Sequence, residues 1–298
     1  MNDALEDARA QRDAPVSAGA GAPARPAPSP DYGAFSPHAL ARVGLAIGRA
    51  LPRGEAGLKL AGAVRPLALS GVKSGVADVQ ALGLKLRLHP KDNLSEKRLF
   101  MTPQCFDPDE LDALRRFMGP GKTFADIGAN AGAYALVAAK AGGPACRVLA
   151  VEPQREMRRR LAYNAALNNI DTITLSGVAL ADYEGESVMR LVSGNLGRAA
   201  LKGSGGEGEA VTVTTLKALL DAHGIERLDA AKIDVEGGEA AILSAFFRDA
   251  SEARWPSLVI LERPDVNAAT GTDPVALCLT RGYTLARTTR MNAILTRG

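Results

Sequence analysis

Four carboxylates, Asp126, Glu152, Asp234 and Glu262, stand at or near the ends of short apolar runs. The first and third are followed by glycine-bearing turns, Gly128-Ala-Asn-Ala-Gly132 and Glu236-Gly-Gly-Glu239. Glycines allow a tight turn and a close approach of other groups to the backbone. Glu152 follows Gly128 by 24 residues. A strand-end carboxylate at that distance from a glycine turn can accept hydrogen bonds from both hydroxyls of a ribose, so the pair reads as a nucleoside site. It is a poor pyrophosphate site, because Asn130 occupies the second glycine's place in a dinucleotide fingerprint and the Lys-Ser/Thr ending of a phosphate loop is missing. Asp234, Glu236, Glu239 and Glu262 would share one rim, where a carboxylate can take the proton of an acceptor hydroxyl or position it. Glu236 and Glu239 also suit a helix N-terminus, through capping and the macrodipole. Hard oxygen ligands suit magnesium too, but no His or Asn/Asp pair completes a site, and no metal is expected. His89 and His223 fall in no motif.

The elements that must hold these groups alternate. TFADIGA, CRVLAVE, TITLSGVAL, DAAKIDV and SLVILE read as strands, separated by the helical AYALVAAKA, REMRRRLAYNAALNN, LKALLDAHG and GEAAILSAFF. SVMRLV and VTVTT read as paired strands. DPVALCLTRG is a helix before two closing strands, YTLART and NAILTR, whose short connection makes them antiparallel. The pattern predicts an α/β fold, a doubly wound, mostly parallel sheet of seven strands with an antiparallel strand near its edge. Ligands of such a sheet bind outside the carboxyl ends of its strands.

Three regions precede or form that unit: a disordered Ala/Pro-rich tail over 1–37, an N-terminal extension over 38–120, and the ligand-binding domain over 121–298. The extension contains one or two amphipathic helices between His38 and Ser70, interspersed with arginines, for which packing onto the main domain is expected. A strand or hairpin reaches His89, and DPDELDALRRFM is a helix capped by Asp107.

Composition narrows the function classes. Aromatic residues make up only 4% of the 298, and the net charge is only +3, so neither a base-stacking platform nor a concentrated basic surface for nucleic acid is expected. Arg155, Arg158, Arg159 and Arg160 spread over more than one helix face and read as solvated surface. Cys105, Cys146 and Cys278 form no CxxC pair, and MNDALEDARAQRD lacks an apolar signal core, which points to the cytoplasm. No apolar run approaches the roughly 20 residues of a bilayer span, so no stable membrane insertion is expected.

The segments FADIGANAGAYALVAAKAG, VLAVEPQREMRRRLAYNAALNN, SGVALADYEGE, VTVTTLKALL, AAKIDVEGGEAAILSAF and LVILE, in this order and spacing, resemble class I S-adenosylmethionine-dependent methyltransferases, and more closely the FkbM-type family, over about residues 85 to 262. The resemblance implies the Rossmann-like class I fold, S-adenosylmethionine as cofactor, and methyl transfer to a hydroxyl of a small molecule such as a sugar or polyketide. It places Asp126, Gly128, Asn130 and Gly132 around the methionine part of the cofactor, Glu152 at the ribose and Asp182 at the adenine. Asp234, Glu236 and Glu262 become the catalytic candidates. Asn195, Arg198 and Glu239 fall on the substrate side, the first two in a glycine-rich segment, Gly194 to Ala210, which reads equally as a mobile substrate lid or as a plain disordered hairpin connection. The Asp/Asn-Pro-Pro-Tyr tetrapeptide of amino-directed relatives is absent after the fourth strand, so DNA adenine and protein glutamine are not expected acceptors. Arg263-Pro264 stands where the family more usually continues with apolar or aromatic residues. Two other readings fit the same sheet: a protein that binds the cofactor without turnover, and a nicotinamide-dependent oxidoreductase, which Asn130 disfavours.

Overall fold

Apolar residues at helical spacing form two helices, α1 (Ala39–Ala50) and α2 (Glu55–Leu69), in a computed structural model that describes residues 30–72, 74–191, 199–202, 208–263 and 272–298. They cross closely: a β-carbon on Gly44 would lie 2.8 Å from the Ala68 amide nitrogen. A hairpin follows, β1 (Ala77–Ala81) and β2 (Leu84–Leu88), turning at Leu82 and Gly83, both at positive φ as a tight two-residue turn requires. The tail expected over 1–37 lies outside the described residues up to 29. Its last residues are tied down instead, because Arg87 donates to the carbonyls of Pro30 and Asp31 and Asp78 accepts from the amides of Gly33 and Phe35. Helix α3 (Leu94–Met101) has no counterpart in the sequence reading. Asn93 caps it by accepting from the Glu96 amide at 3.0 Å. Helix α4 (Pro108–Phe117) follows. Asp107 does not cap it: the residue is left-handed at φ 39, and its carboxylate receives the Tyr134 hydroxyl at 3.0 Å.

From Thr123 onward strand and helix alternate as β3 (Thr123–Ile127), α5 (Ala133–Gly142), β4 (Arg147–Val151), α6 (Arg155–Leu167) and β5 (Ile173–Ser176). Four strands, β6 (Ala179–Leu180), β7 (Gly185–Leu191), β8 (Ala199–Lys202) and β9 (Glu209–Thr214), then build a small side sheet in the order β6-β9-β7-β8. The chain returns through α7 (Leu216–Ala222), β10 (Ala230–Ile233), α8 (Glu239–Asp249), β11 (Leu258–Glu262), α9 (Pro274–Thr280), β12 (Thr284–Thr288) and β13 (Asn292–Thr296). The main sheet has seven strands in the order β12-β13-β11-β10-β3-β4-β5. The run from β5 to β11 is parallel, and β13 is antiparallel to both its neighbours. This is the doubly wound fold the alternation predicts.

Two differences have local causes. TITLSGVAL is two strands, because the last residue pair with β4 is Val151 and Ser176, after which the chain leaves the sheet edge and Ala179–Leu180 pairs with β9. The segment Gly194–Ala210, expected as a mobile lid or a disordered hairpin connection, contains β8 paired with β7 and the start of β9, while 192–198 and 203–207 lie outside the described residues.

Period-two side-chain alternation explains the core. Phe124, Val148, Ala150, Ala230, Leu258 and Ile260 face one layer with α3, α4 and α5, whereas Ala125, Ile127, Leu149, Val151, Ile233, Val259 and Leu261 face the layer of α7, α8 and α9. Burial on both faces is why these strands read as nearly continuous apolar runs. The hairpin is joined to this body by two amides one helical turn apart on α6. Asn164 pairs with the backbone N–H and C=O of Arg87, and Asn168 does the same for Lys85. Together they satisfy the open edge of β2.

Candidate active site

The winding reverses between β3 and β10, and the turns after these strands meet there. Gly128, at φ 76, lies so close to the β10 end that a β-carbon would stand 1.8 Å from the Asp234 carbonyl oxygen. The glycine is required by that backbone approach. Asn130 follows in the left-handed region at φ 50, which asparagine tolerates better than most residues. Its side-chain oxygen accepts from Asn93 at 2.7 Å and from the Ala131 amide at 2.7 Å, binding α3 to the loop.

A cavity of about 520 Å³ opens at this point, between the loops after β3, β4 and β10, the end of β11, the start of α3 and the loop before α4. On one side Glu152, 5% exposed, takes the Asn130 amide on one oxygen and the Gln154 amide on the other, both at 2.8 Å. Burial raises its pKa against those two bonds. Val178, Leu180 and Met189 supply apolar wall nearby.

On the other side Lys232 is buried in β10 and donates to Asp234 at 2.9 Å. Burial works against its ammonium, but the charges of Asp234 and Asp126 overcome it and hold the pKa above the ordinary lysine value. Glu262 is pushed up to about 8, first by burial, then by the charge of Asp234 and a hydrogen bond with it, and further by Glu236 and Glu239. The shift favours the protonated form of Glu262 beside Asp234 at neutral pH. The folded protein holds that proton far above the usual carboxylate value of 4.5. The stabilisation from the protonated form is complete below 4.5 and is lost as pH rises through about 8. Glu262→Gln, permanently neutral, is expected to keep it. Thermal melts at acid, neutral and alkaline pH should show the variant gaining on the parent from about pH 4.5 upward and levelling off above about pH 8, by roughly 2–4 °C for each ~1 kcal/mol retained. Parallel curves would contradict the raised pKa of Glu262.

The expected site residues are thus brought together unevenly. Gly128, Asn130, Glu152, Asp234, Glu236 and Glu262 line the cavity. Asp126 is 1% exposed and serves the first turn of α5, accepting from the Ala135 amide at 2.8 Å, while burial lifts its pKa to about 6. Gly132 sits at the start of α5 facing Leu161. Glu239, placed on the substrate side by the resemblance, is buried and accepts from the amides of Val235 and Gly237, bracing the turn that carries Glu236 at φ 59. Asp182 is exposed and outside the cavity, where its charge acts on Arg248. Asn195 and Arg198 lie outside the described residues. His89 contacts Glu96 and His223 lies against Arg147, both away from the cavity lining.

Several cavity residues escaped the sequence reading. Lys232 carries a visible signal, a lysine inside a strand otherwise built for burial. Asp107, whose pKa burial and Glu110 raise, and Asn292, which donates to the buried Glu110 at 2.8 Å, come from segments far outside the motifs. Arg160 is not solvated surface. It is 4% exposed and donates to Asp92, Glu96 and Glu156 at 2.5–2.9 Å, because α3 and the loop before it cover that face of α6. Arg158 is half-buried and donates to the carbonyls of Glu152 and Pro153.

These residues suit S-adenosylmethionine on three counts. Each Glu152 oxygen retains acceptor capacity beyond its one amide bond, as a ribose hydroxyl requires. The wall holds Asp107, Glu152, Asp234, Glu236 and Glu262 against Lys232 and Arg98, an acidic balance that favours a sulfonium and ammonium ligand. Asp126 Oδ1, on the strand that leads into the Gly128 loop, is buried without a hydrogen-bond partner. Among the described residues no three His, Cys, Asp or Glu side chains gather as a metal site.

Residues 126–271 match the model of the methyltransferase FkbM domain. No curated protein matches the chain. Among solved structures it is similar to precorrin-6y C5,15-methyltransferase from Geobacter metallireducens, at 15% identity over 67% of this chain and 90% of that one, TM-score 0.42. It is also similar to ribosomal protein L11 methylase from Lactobacillus delbrueckii subsp. bulgaricus, at 18% over 63% and 76%, TM-score 0.39. A third is M. jannaschii TYW2 in complex with AdoMet, at 11% over 76% and 88%, TM-score 0.39. With the doubly wound sheet and the matched domain in one place, the chain is a methyltransferase carrying an FkbM domain whose cofactor is S-adenosylmethionine.

Proposed function

We propose that the enzyme methylates a hydroxyl oxygen of a small-molecule acceptor, of sugar or polyketide type, bound at the Asp234–Glu262 end of the cavity. The observation that carries this reading is the Lys232–Asp234 ion pair at 2.9 Å at the cavity wall, beside Glu262, whose carboxyl is pushed up to about 8 by burial and by Asp234. It supplies one ionised and one protonated carboxyl at the same place, a base and a donor for one hydroxyl group.

When bound, S-adenosylmethionine supplies an electrophilic methyl group on a sulfonium. Glu152 would hold the ribose, and Val178, Leu180 and Met189 would offer apolar wall to the base. Merely holding a cation does not accelerate its reaction, so the acceleration comes from the acceptor side. Asp234 accepts the acceptor's hydroxyl proton at its carboxylate, and Lys232 keeps that carboxylate ionised beforehand. Glu262 orients the acceptor through its O–H. Helix α3, with Leu94 and Leu99 on the cavity wall, excludes water from that side. A reducing cytoplasm fits the free thiols of Cys105, Cys146 and Cys278.

Labelled-methyl transfer to a panel of hydroxylated and amino metabolites tests the reading, with Asp234→Asn as control. O-methyl products that disappear in the control are expected; N-methyl products, or unaltered turnover in the control, would sink it. Glu152→Gln is expected to weaken S-adenosylmethionine about 10- to 100-fold by calorimetry, the loss of charge-assisted bonds worth about 1.5–3 kcal/mol. Its thermal midpoint should fall by several degrees without loss of the fold, since glutamine keeps an acceptor for one of the two amides and leaves the other unpaired, a cost of about 1–3 kcal/mol. Unchanged affinity would remove the ribose assignment.

A further inference from the structure

Helix α1 is packed inside out. Toward α2 and α3 it turns Ala41, Gly44 and Gly48, with Leu45 the one large side chain buried. Its other large apolar residues face outward: Leu40, Val43 and Ile47 are 59%, 52% and 44% exposed, and Leu60 on α2 is 56% exposed. The spacing of the first three, at i, i+3 and i+7, puts them on one stripe. An ordinary surface helix does the opposite, keeping its large apolar residues on the core side.

The stripe is set in positive charge. Residues 38–72 hold Arg42, Arg49, Arg53, Lys59 and Arg65 against Glu55 alone, in a chain of net charge +3, so the remainder is acidic by one. Arg49 is engaged with the carbonyls of Gln80 and Phe100 and Arg53 is paired with Asp112 at 3.9 Å, while Arg42, Lys59 and Arg65 are exposed.

We infer that this face docks the enzyme on an anionic phospholipid surface, with Leu40, Val43, Ile47 and Leu60 at the headgroup boundary and Arg42, Lys59 and Arg65 against lipid phosphate. Charge selects this occupant over a second copy of the chain, which would bring an identical basic flank against the stripe. Docking is peripheral, because no helix among the described residues is long and apolar enough to cross a membrane. It also has a consequence for the cavity. Helix α3 meets α1 through the Phe100 carbonyl at one end, and Leu94 and Arg98 line the cavity toward the other. The surface and the cavity are therefore separated by one eight-residue helix, about 12 Å long. Exposed Leu94 and Met291 lie on the cavity wall.

The inference stands apart from methyl transfer, and its test needs no substrate. Full-length protein is sedimented with phosphatidylcholine vesicles with and without phosphatidylglycerol. Binding only to the anionic vesicles, declining with salt, is expected. Val43→Glu/Ile47→Glu should weaken it by about tenfold or more. Arg42→Glu/Lys59→Glu, which leaves the stripe intact, should weaken it at least fivefold per residue, roughly, and flatten the salt dependence. Both pairs are exposed, so circular dichroism should match the parent. No binding, equal binding to neutral vesicles, or binding indifferent to both pairs would overturn the inference. So would a dimer in light scattering that Val43→Glu/Ile47→Glu dissociates, since a second copy would then be the occupant.

Discussion

Asp234→Asn is expected to lower kcat by about 10²- to 10⁴-fold, the usual worth of a positioned general base, with S-adenosylmethionine affinity little changed. The substitution keeps the shape of the side chain and removes its charge. Lys232, 6% exposed, then loses its nearest counter-charge and keeps only Asp126 and Asp107 close by. Glu262 loses the charge that most strongly supports its protonated form after burial, and its pKa should move back toward 4.5. A purely structural role for Asp234 would depress binding and catalysis together. A base would leave the dissociation constant alone and abolish the acid-side limb of the pH–kcat profile. Single-turnover rates measured beside calorimetric affinities distinguish the two. A kcat within a few-fold of the parent would remove Asp234 as the base.

The second large effect concerns stability. Arg160→Met should cost about 3–5 kcal/mol, the penalty for leaving a buried charge without its partner. Glu96 is fully buried, and apart from Arg160 its carboxylate has the amide and ring of His89 for company. Asp92 and Glu156 lose the same guanidinium. The midpoint of thermal unfolding should fall by roughly 6–20 °C, at about 2–4 °C per kcal/mol for a domain of this size. Adding Glu96→Gln to Arg160→Met should restore part of the loss, because the unpaired charge is then gone. If Arg160→Met alone melts like the parent, the cluster is not what fastens α3 to α6.

The same arginine shows where sequence reasoning stopped. Helical spacing places Arg160 on a face of α6, but the identity of what covers that face, residues of α3 more than sixty positions earlier, is a tertiary fact. Helix α3 escaped for a related reason. Its Asn93-Leu-Ser-Glu96 start has the form of a capping box, yet eight residues with four charged or polar side chains carry little apolar periodicity. By contrast β3, β4, β10 and β11 were readable, since burial on both faces leaves a run of apolar residues in the sequence itself. Glu152 was readable because its position depends only on the strand end and the glycine turn that precedes it. Glu239 and Asp182 were not, because the sequence fixes their distance along the chain and not the direction in which each side chain leaves the backbone. Asp107 had the local form of a helix cap and became a cavity residue when Tyr134 claimed its carboxylate.

Calorimetric titration of the full-length protein with S-adenosylmethionine, S-adenosylhomocysteine and NAD is the most direct test of a methyltransferase site built on Gly128, Asn130 and Glu152. Binding of both adenosyl ligands, weakened by Glu152→Gln, with no heat from NAD, is expected. Absence of binding by either adenosyl ligand, or preferential binding of NAD, would contradict it.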